Sequence, residues 1–159
     1  MVSRLSALEE ESIDYFVSFV QILGLPKSIG QIYGLFFVSS DPMAMDHVVG
    51  RLDISKGCAS QGLATLKGFG AIIPVHMEGD RREHFEADFE VSKIVAHFFE
   101  ETLEPRMAHG EERLNRMISI SENGENPGEN PIVTRLNALK KWQTRGKETI
   151  PLIKEFLKA

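Results

Sequence analysis

"SKGCASQGLATLKGFG", residues 55–70, holds four glycines and only two charged side chains, Lys56 and Lys67. Glycine costs a helix interior about 1 kcal/mol relative to alanine, so the composition looks poor for a helix. The spacing says otherwise. Cys58 or Ala59, Leu63 and Leu66 share one face, with Phe69 just beyond. Ser55 is a good N-cap, and Gly68 and Gly70 supply the usual helix stop. With Leu63 and Leu66 turned inward, Lys56, Gly57, Ser60, Gln61, Ala64 and Lys67 project outward or sideways. That surface is nearly bare of the Glu, Lys and Arg that solvent-facing helices display. Small residues permit close backbone approach, so the face suits contact with another large molecule. The plainer alternative is that Gly57 and Gly62 only let a second helix pack tightly.

Working outward, "AMDHVVGRL" (44–52) reads as a helix with Val48, Val49 and Leu52 inward, and Asp53 and Ile54 as a tight turn. Ala44 stands where a capping side chain is usual, and it has none to offer. After Gly70 the hydrophobic period changes from 3.6 to 2. "AIIPVHM" (71–77) and "RREHFEA" (81–87) are strand patterns around "EGD" (78–80), a hairpin turn, and Pro74 confines the first to an edge. Two helices about a short turn, followed at once by a β-hairpin, describe a winged helix-turn-helix. The fold class is therefore mainly α with a small β-hairpin wing (α+β).

The small unit needs helices behind it. Leu5, Leu8, Ile13, Phe16, Phe19, Val20 and Leu23 give an amphipathic helix halted by "GLP", and "SIGQIYGLFFVSS" (28–40) gives a second, mostly buried one. Beyond the wing, Ile94 to Ile118 keep helical spacing through Pro105, which should kink the helix. "SENGENPGENP" (121–131) reads as a loop. A final helix from Ile132 towards Lys158 is weakened by Gly146 and Pro151 and is expected in two pieces. Residues 1–90 form the winged-helix part, with an N-terminal helix that also serves dimerisation. Residues 91–159 form a helical dimerisation and effector region.

Net charge is −5, which argues against a nucleic-acid partner until its distribution is considered. Residues 43–85 carry five acids and five bases, 86–130 eleven acids and four bases, and 131–159 two acids and seven bases. An acidic block followed by a basic one points to pairing within or between subunits. A basic arm flanking DNA is the alternative for the C-terminal block. The lone Cys58 excludes an intramolecular disulfide and suits a reducing cytoplasm. No apolar run approaches the roughly 18 residues of a membrane span, and no secretory signal is visible, so a cytoplasmic location is expected.

On the winged-helix reading, α-helical residues at the start of 55–67 meet base edges in a major groove about 12 Å wide. Ser60 and Gln61 can exchange hydrogen bonds with bases; Ser55, Lys56, Gly57, Ala64 and Lys67 complete the contacting face. Arg81 and Arg82 at the hairpin suit minor-groove or phosphate contact, and Asp80 can pair with Arg82 and fix the wing. Incidental charges on a solvated turn are the bland reading of the same residues.

The pieces "IGQIYGLFF" (29–37), "DHVVGRLDISKG" (46–57) and "GDRREHFEA" (79–87) resemble the GbsR-type branch of the MarR-like winged-helix transcriptional regulators. The likeness covers about residues 28–90, and the flanking helices match in arrangement. It implies a homodimer with one winged helix per subunit, acting on double-stranded DNA at a pseudo-palindromic operator, often as a repressor. It also implies a small-molecule effector, choline-like in some members, that modulates operator affinity.

Other sites carry less. His97, Glu101 and Glu104 lie on nearby helical positions, but one His with loose carboxylates is a weak metal set, and no metal or other cofactor is expected. Cys58 reads as a small apolar residue rather than a thiol sensor. "GFGAII" is a fragment of a dinucleotide fingerprint without its preceding strand. There is no nucleophile–base pair and no P-loop, so no enzyme is expected. Tyr15, Phe16, Phe19, Tyr33, Phe36, Phe37, Phe98, Phe99 and Trp142 read as core and dimer packing, or as an aromatic cage for a quaternary ammonium effector.

Overall fold

The computed structural model describes residues 4–123 and 130–159, and the chain divides into two compact units between Ile94 and Val95. In the first, helix α1 (Ala7–Ile22) opens with a capping box. Glu9 N–H donates to Ser6 Oγ at 3.2 Å, and Ser6 N–H donates to Glu9 Oε2 at 2.7 Å, satisfying two otherwise orphaned donors. Ile13, Phe16 and Val20 form its buried stripe. Helix α2 (Lys27–Phe37) is buried almost throughout, with Ile32 and Leu35 fully enclosed. Each such side chain contributes about 1.5–3 kcal/mol by leaving water.

What lets α1 lie so close to α2 is a pair of glycines one turn apart. A Cβ on Gly30 would stand 2.6 Å from Val17 Cα, and one on Gly34 would stand 2.7 Å from Ile13 Cα. Ser12 Oγ then donates to the Gly34 carbonyl at 2.8 Å. Tyr15, Phe16, Tyr33 and Phe37 cluster on this contact, with Phe16 edge-on to Tyr33 at 4.7 Å between ring centres. Phe16 and Tyr33 are core, while Tyr15 and Phe37 pack on them from the exposed edge.

Strand β1 (Met43–Ala44) leads directly into α3 (Met45–Leu52) and α4 (Lys56–Gly68). The turn between the helices is made by Asp53 in the left-handed region, φ 52°. Helix α4 ends in a Schellman motif. Gly70 N–H donates to the Lys67 carbonyl and Ala71 N–H to the Leu66 carbonyl at 2.8 Å, with Gly70 at φ +70°.

Strands β2 (Ile72–Val75) and β3 (His84–Ala87) form the antiparallel hairpin, with Pro74 opposite Phe85. The sheet has three strands rather than two, in the order β1-β3-β2, because Met43 and Ala44 pair with Phe85 and His84. This puts Pro74 on an edge strand, where its missing N–H leaves no gap. The winged-helix fold expected from the sequence is present. A two-residue strand has no periodicity to read, which is why β1 was not anticipated.

Helix α5 (Val91–Phe98) passes from the first unit into the second and continues through a π turn (Phe99–Leu103) into α6 (Glu104–Glu122). The irregularity expected at Pro105 thus falls in the turn before it. Proline offers no N–H to the carbonyl four residues back, and widening the preceding turn accommodates its ring. Helix α7 (Pro131–Lys158) is one continuous helix with Pro151 inside it, not two pieces.

It runs antiparallel to α6. Gly146 lies where the two cross, a Cβ there standing 3.3 Å from Met107 Cε, and Gln143 Nε2 donates to the Met107 carbonyl at 2.9 Å. Lys147–Glu111, Lys154–Glu104 and Lys158–Glu100 bridges at 2.7–3.1 Å join the acidic and basic blocks within one chain. Most of the loop expected across 121–131 lies outside the described residues. Among the described residues no helix is long and apolar enough to cross a membrane.

Candidate nucleic-acid interface

Ser55 caps α4 by accepting from Cys58 N–H at 3.1 Å, which sets where the helix begins. Ala59, Gly62, Leu63 and Leu66 are buried. Ser55, Lys56, Gly57, Ser60, Gln61, Ala64 and Lys67 are exposed. Of the two inward candidates, Ala59 is fully enclosed and Cys58 is only half-buried.

The glycines divide by role. A Cβ on Gly62 would run into Ile32 Cδ1, so Gly62 seats α4 against α2. Gly57 has open space, with Ser55 Oγ 4.0 Å away as its nearest neighbour. The packing explanation therefore holds for Gly62 and fails for Gly57.

The loop between β2 and β3 carries Arg81 and Arg82, both exposed. Asp80 grips Arg82 from three directions. Its carboxylate accepts from Arg82 Nε at 3.0 Å, from Arg82 Nη2 at 2.6 Å and from the Arg82 backbone N–H at 3.0 Å. Hydrogen bonds from the side chain and backbone of Arg82 hold the Asp80 carboxyl well below the usual carboxylate range. The same fork pushes Arg82 upward, so both partners are charged at any physiological pH.

Beneath the loop lies His84, 3% exposed, whose Nδ1–H donates to the Arg82 carbonyl at 3.0 Å while Nε2 faces Asp80 Oδ2 at 3.5 Å. His84 anchors the loop from below. Its place in an alternating strand pattern gave no sign of that, since both His84 and Phe85 are buried on this central strand.

An open cleft of about 590 Å³ separates the outward face of α4 from the wing and the start of α3. Ser60, Ala64 and Lys67 line one side, Arg82 and Glu83 the other. Lys67 Nζ bonds Glu83 Oε1 at 2.9 Å and lies 5.8 Å from the centre of the Phe85 ring. Arg82 Nη1 also reaches Asp46 Oδ2 at 2.6 Å. Slight burial pushes the Asp46 carboxyl up, but the Arg82 charge and hydrogen bond, with His47 and a backbone hydrogen bond, together outweigh it and leave Asp46 lowered. The widely separated positions of Asp46, Glu83 and their bases left no spacing signal in the sequence.

Among the described residues, no group of three His, Cys, Asp or Glu side chains is arranged to hold a metal ion. Glu104 is instead engaged by Lys154 at 2.7 Å.

No protein-family model matches the chain. Over 87 residues, 55% of its length, it is 26% identical to the HTH-type transcriptional repressor GbsR of Bacillus subtilis (strain 168). The chain spans about half of that relative, 48% of its length. A solved crystal structure of a transcriptional regulator shares the fold, with a TM-score of 0.65 at 16% identity over 94% of this chain and 95% of that one. The resemblance to GbsR-type regulators read from residues 28–90 is thus met by a curated relative of that type, and the winged helix by a solved structure of matching fold.

Proposed function

We propose that the chain is a DNA-binding transcriptional regulator, a homodimer that acts in the cytoplasm, most simply as a repressor. One observation carries the reading. The apolar residues of α4 are buried while Ser55, Lys56, Gly57, Ser60, Gln61, Ala64, Lys67, Arg81 and Arg82 are all exposed, several of them around one cleft. In this reading residues 1–90 bind DNA and 91–159 serve dimerisation and an effector. Lys56, Lys67 and the wing arginines contact phosphate, Ser60 and Gln61 read part of the base sequence, and Gly57 lets the backbone come close. Asp80 holds Arg82 in position for the groove.

Two-fold symmetry would set two such helices roughly 34 Å apart, one turn of duplex, on a pseudo-palindromic operator. A small-molecule effector that favours a different spacing would lower operator affinity. Exposed apolar side chains on α1 (Leu8, Tyr15, Ile22) and α7 (Trp142, Leu152, Phe156) support a second copy as partner.

Selection of bound sequences from a random duplex pool with the purified protein tests this. A pseudo-palindromic consensus is the expected result. A second reading, a winged helix that binds protein and no DNA, is favoured by the pairing of Lys67 and Arg82 with acids. Absence of binding to any duplex even at low salt would select it.

A further inference from the structure

The bases that face the cleft are engaged before any duplex arrives. Lys67 near the C-terminal end of α4 holds Glu83 of the wing loop, and Arg82 of that loop holds Asp46 at the start of α3. All four side chains in these two bridges are 48–58% exposed, so the bridges add little to folding. Each carboxylate occupies the atoms that a backbone phosphate would need. Of the five bases in residues 43–85, Arg51 is taken by Glu9, and among the described residues only Lys56 and Arg81 lack an ion pair.

Resting on the DNA-binding reading above, we propose that Glu83 and Asp46 are affinity-setting residues that stand in for phosphate and must be displaced when a duplex binds. Lys67 exchanges one anion for another, and so does Arg82 at Nη1 while its Nε and Nη2 stay with Asp80, so each contributes less than a free base would. The released carboxylates are left beside the phosphate backbone, which repels them. Affinity for arbitrary duplex is thereby held down. A site that also offers base contacts to Ser60 and Gln61 still binds, so the two acids set the threshold a duplex must pass without touching a base.

The test uses the full chain and a mixed-sequence duplex about three helical turns long, with Kd measured over a range of salt. Glu83→Gln and Asp46→Asn should each tighten binding roughly two- to fivefold, the scale of an exposed pair. Each should also steepen the salt dependence by up to about one counterion. Glu78→Gln makes the same charge change in the same loop but frees no base, and it should tighten binding less. In a Lys67→Gln background the gain from Glu83→Gln should shrink to that of Glu78→Gln, the repulsion alone.

Equal effects of Glu83→Gln and Glu78→Gln, or a gain from Glu83→Gln undiminished by Lys67→Gln, would overturn the exchange while leaving the DNA-binding reading in place. Failure of the wild-type chain and every variant to bind any duplex at low salt would overturn both.

Discussion

Gly57 and Gly62 look alike in the sequence and differ in what surrounds them. Alanine at Gly62 would press into Ile32, which is fully enclosed, so Gly62→Ala should destabilise the fold by about 1–3 kcal/mol, measured by denaturant unfolding. Alanine at Gly57 meets open space, so Gly57→Ala should stabilise by roughly 0.5–1 kcal/mol while weakening duplex binding. Opposite signs in stability would establish the division of roles. Helical spacing identified the outward face, and all the residues assigned to it are exposed. It did not show which glycine packs, because that depends on an isoleucine thirty residues earlier. Nor did it show that Lys67 and Arg82 are already paired, since ion pairs across a fold leave no local pattern.

Between elements, an ion pair ties α1 to the helix-turn-helix. Arg51 Nη2 reaches Glu9 Oε1 and Oε2 at 2.6 and 2.5 Å, and Glu9 is also the acid of the α1 capping box. Desolvation pushes the Glu9 carboxyl up, but the Ser6 hydrogen bonds and the Arg51 charge outweigh it and hold Glu9 below its ordinary value. A depressed carboxyl stabilises above the ordinary carboxylate range, and the contribution is lost as pH falls through the folded value. Glu9→Gln should therefore cost about 1–2 kcal/mol at neutral pH. Its deficit relative to wild type should shrink below about pH 4. Behind the wing, Tyr33 donates to the Asp88 carbonyl at 2.6 Å, and burial, aided by Asp88, pushes its hydroxyl upward so that it stays protonated. Tyr33→Phe should cost about 1 kcal/mol, read as a lowered unfolding midpoint. The helices and hairpin were legible because their periods are strong. The third strand was not, being two residues long, and neither was the continuity of α7, where helix packing against α6 overrides Gly146 and Pro151.

At the scale of the whole molecule, one copy leaves large apolar side chains in water, Trp142 at 71% and Phe156 at 81% exposed. The proposed dimer would cover such side chains, and sedimentation equilibrium should return twice the chain mass. Phe156→Glu should shift the equilibrium toward monomer and weaken duplex binding, since a single winged helix reaches only one half-site. Regulation by this chain requires the exposed face of α4 and its wing to meet DNA. Titrating salt against duplex binding, for the wild-type chain and for the double variant Lys56→Gln/Arg81→Ala, tests that most directly. Affinity should fall steeply with salt in the wild type, and the variant should bind more weakly with a slope shallower by about two counterions. A wild-type chain that ignores duplex DNA at low salt, or a variant with unchanged affinity and slope, would contradict it.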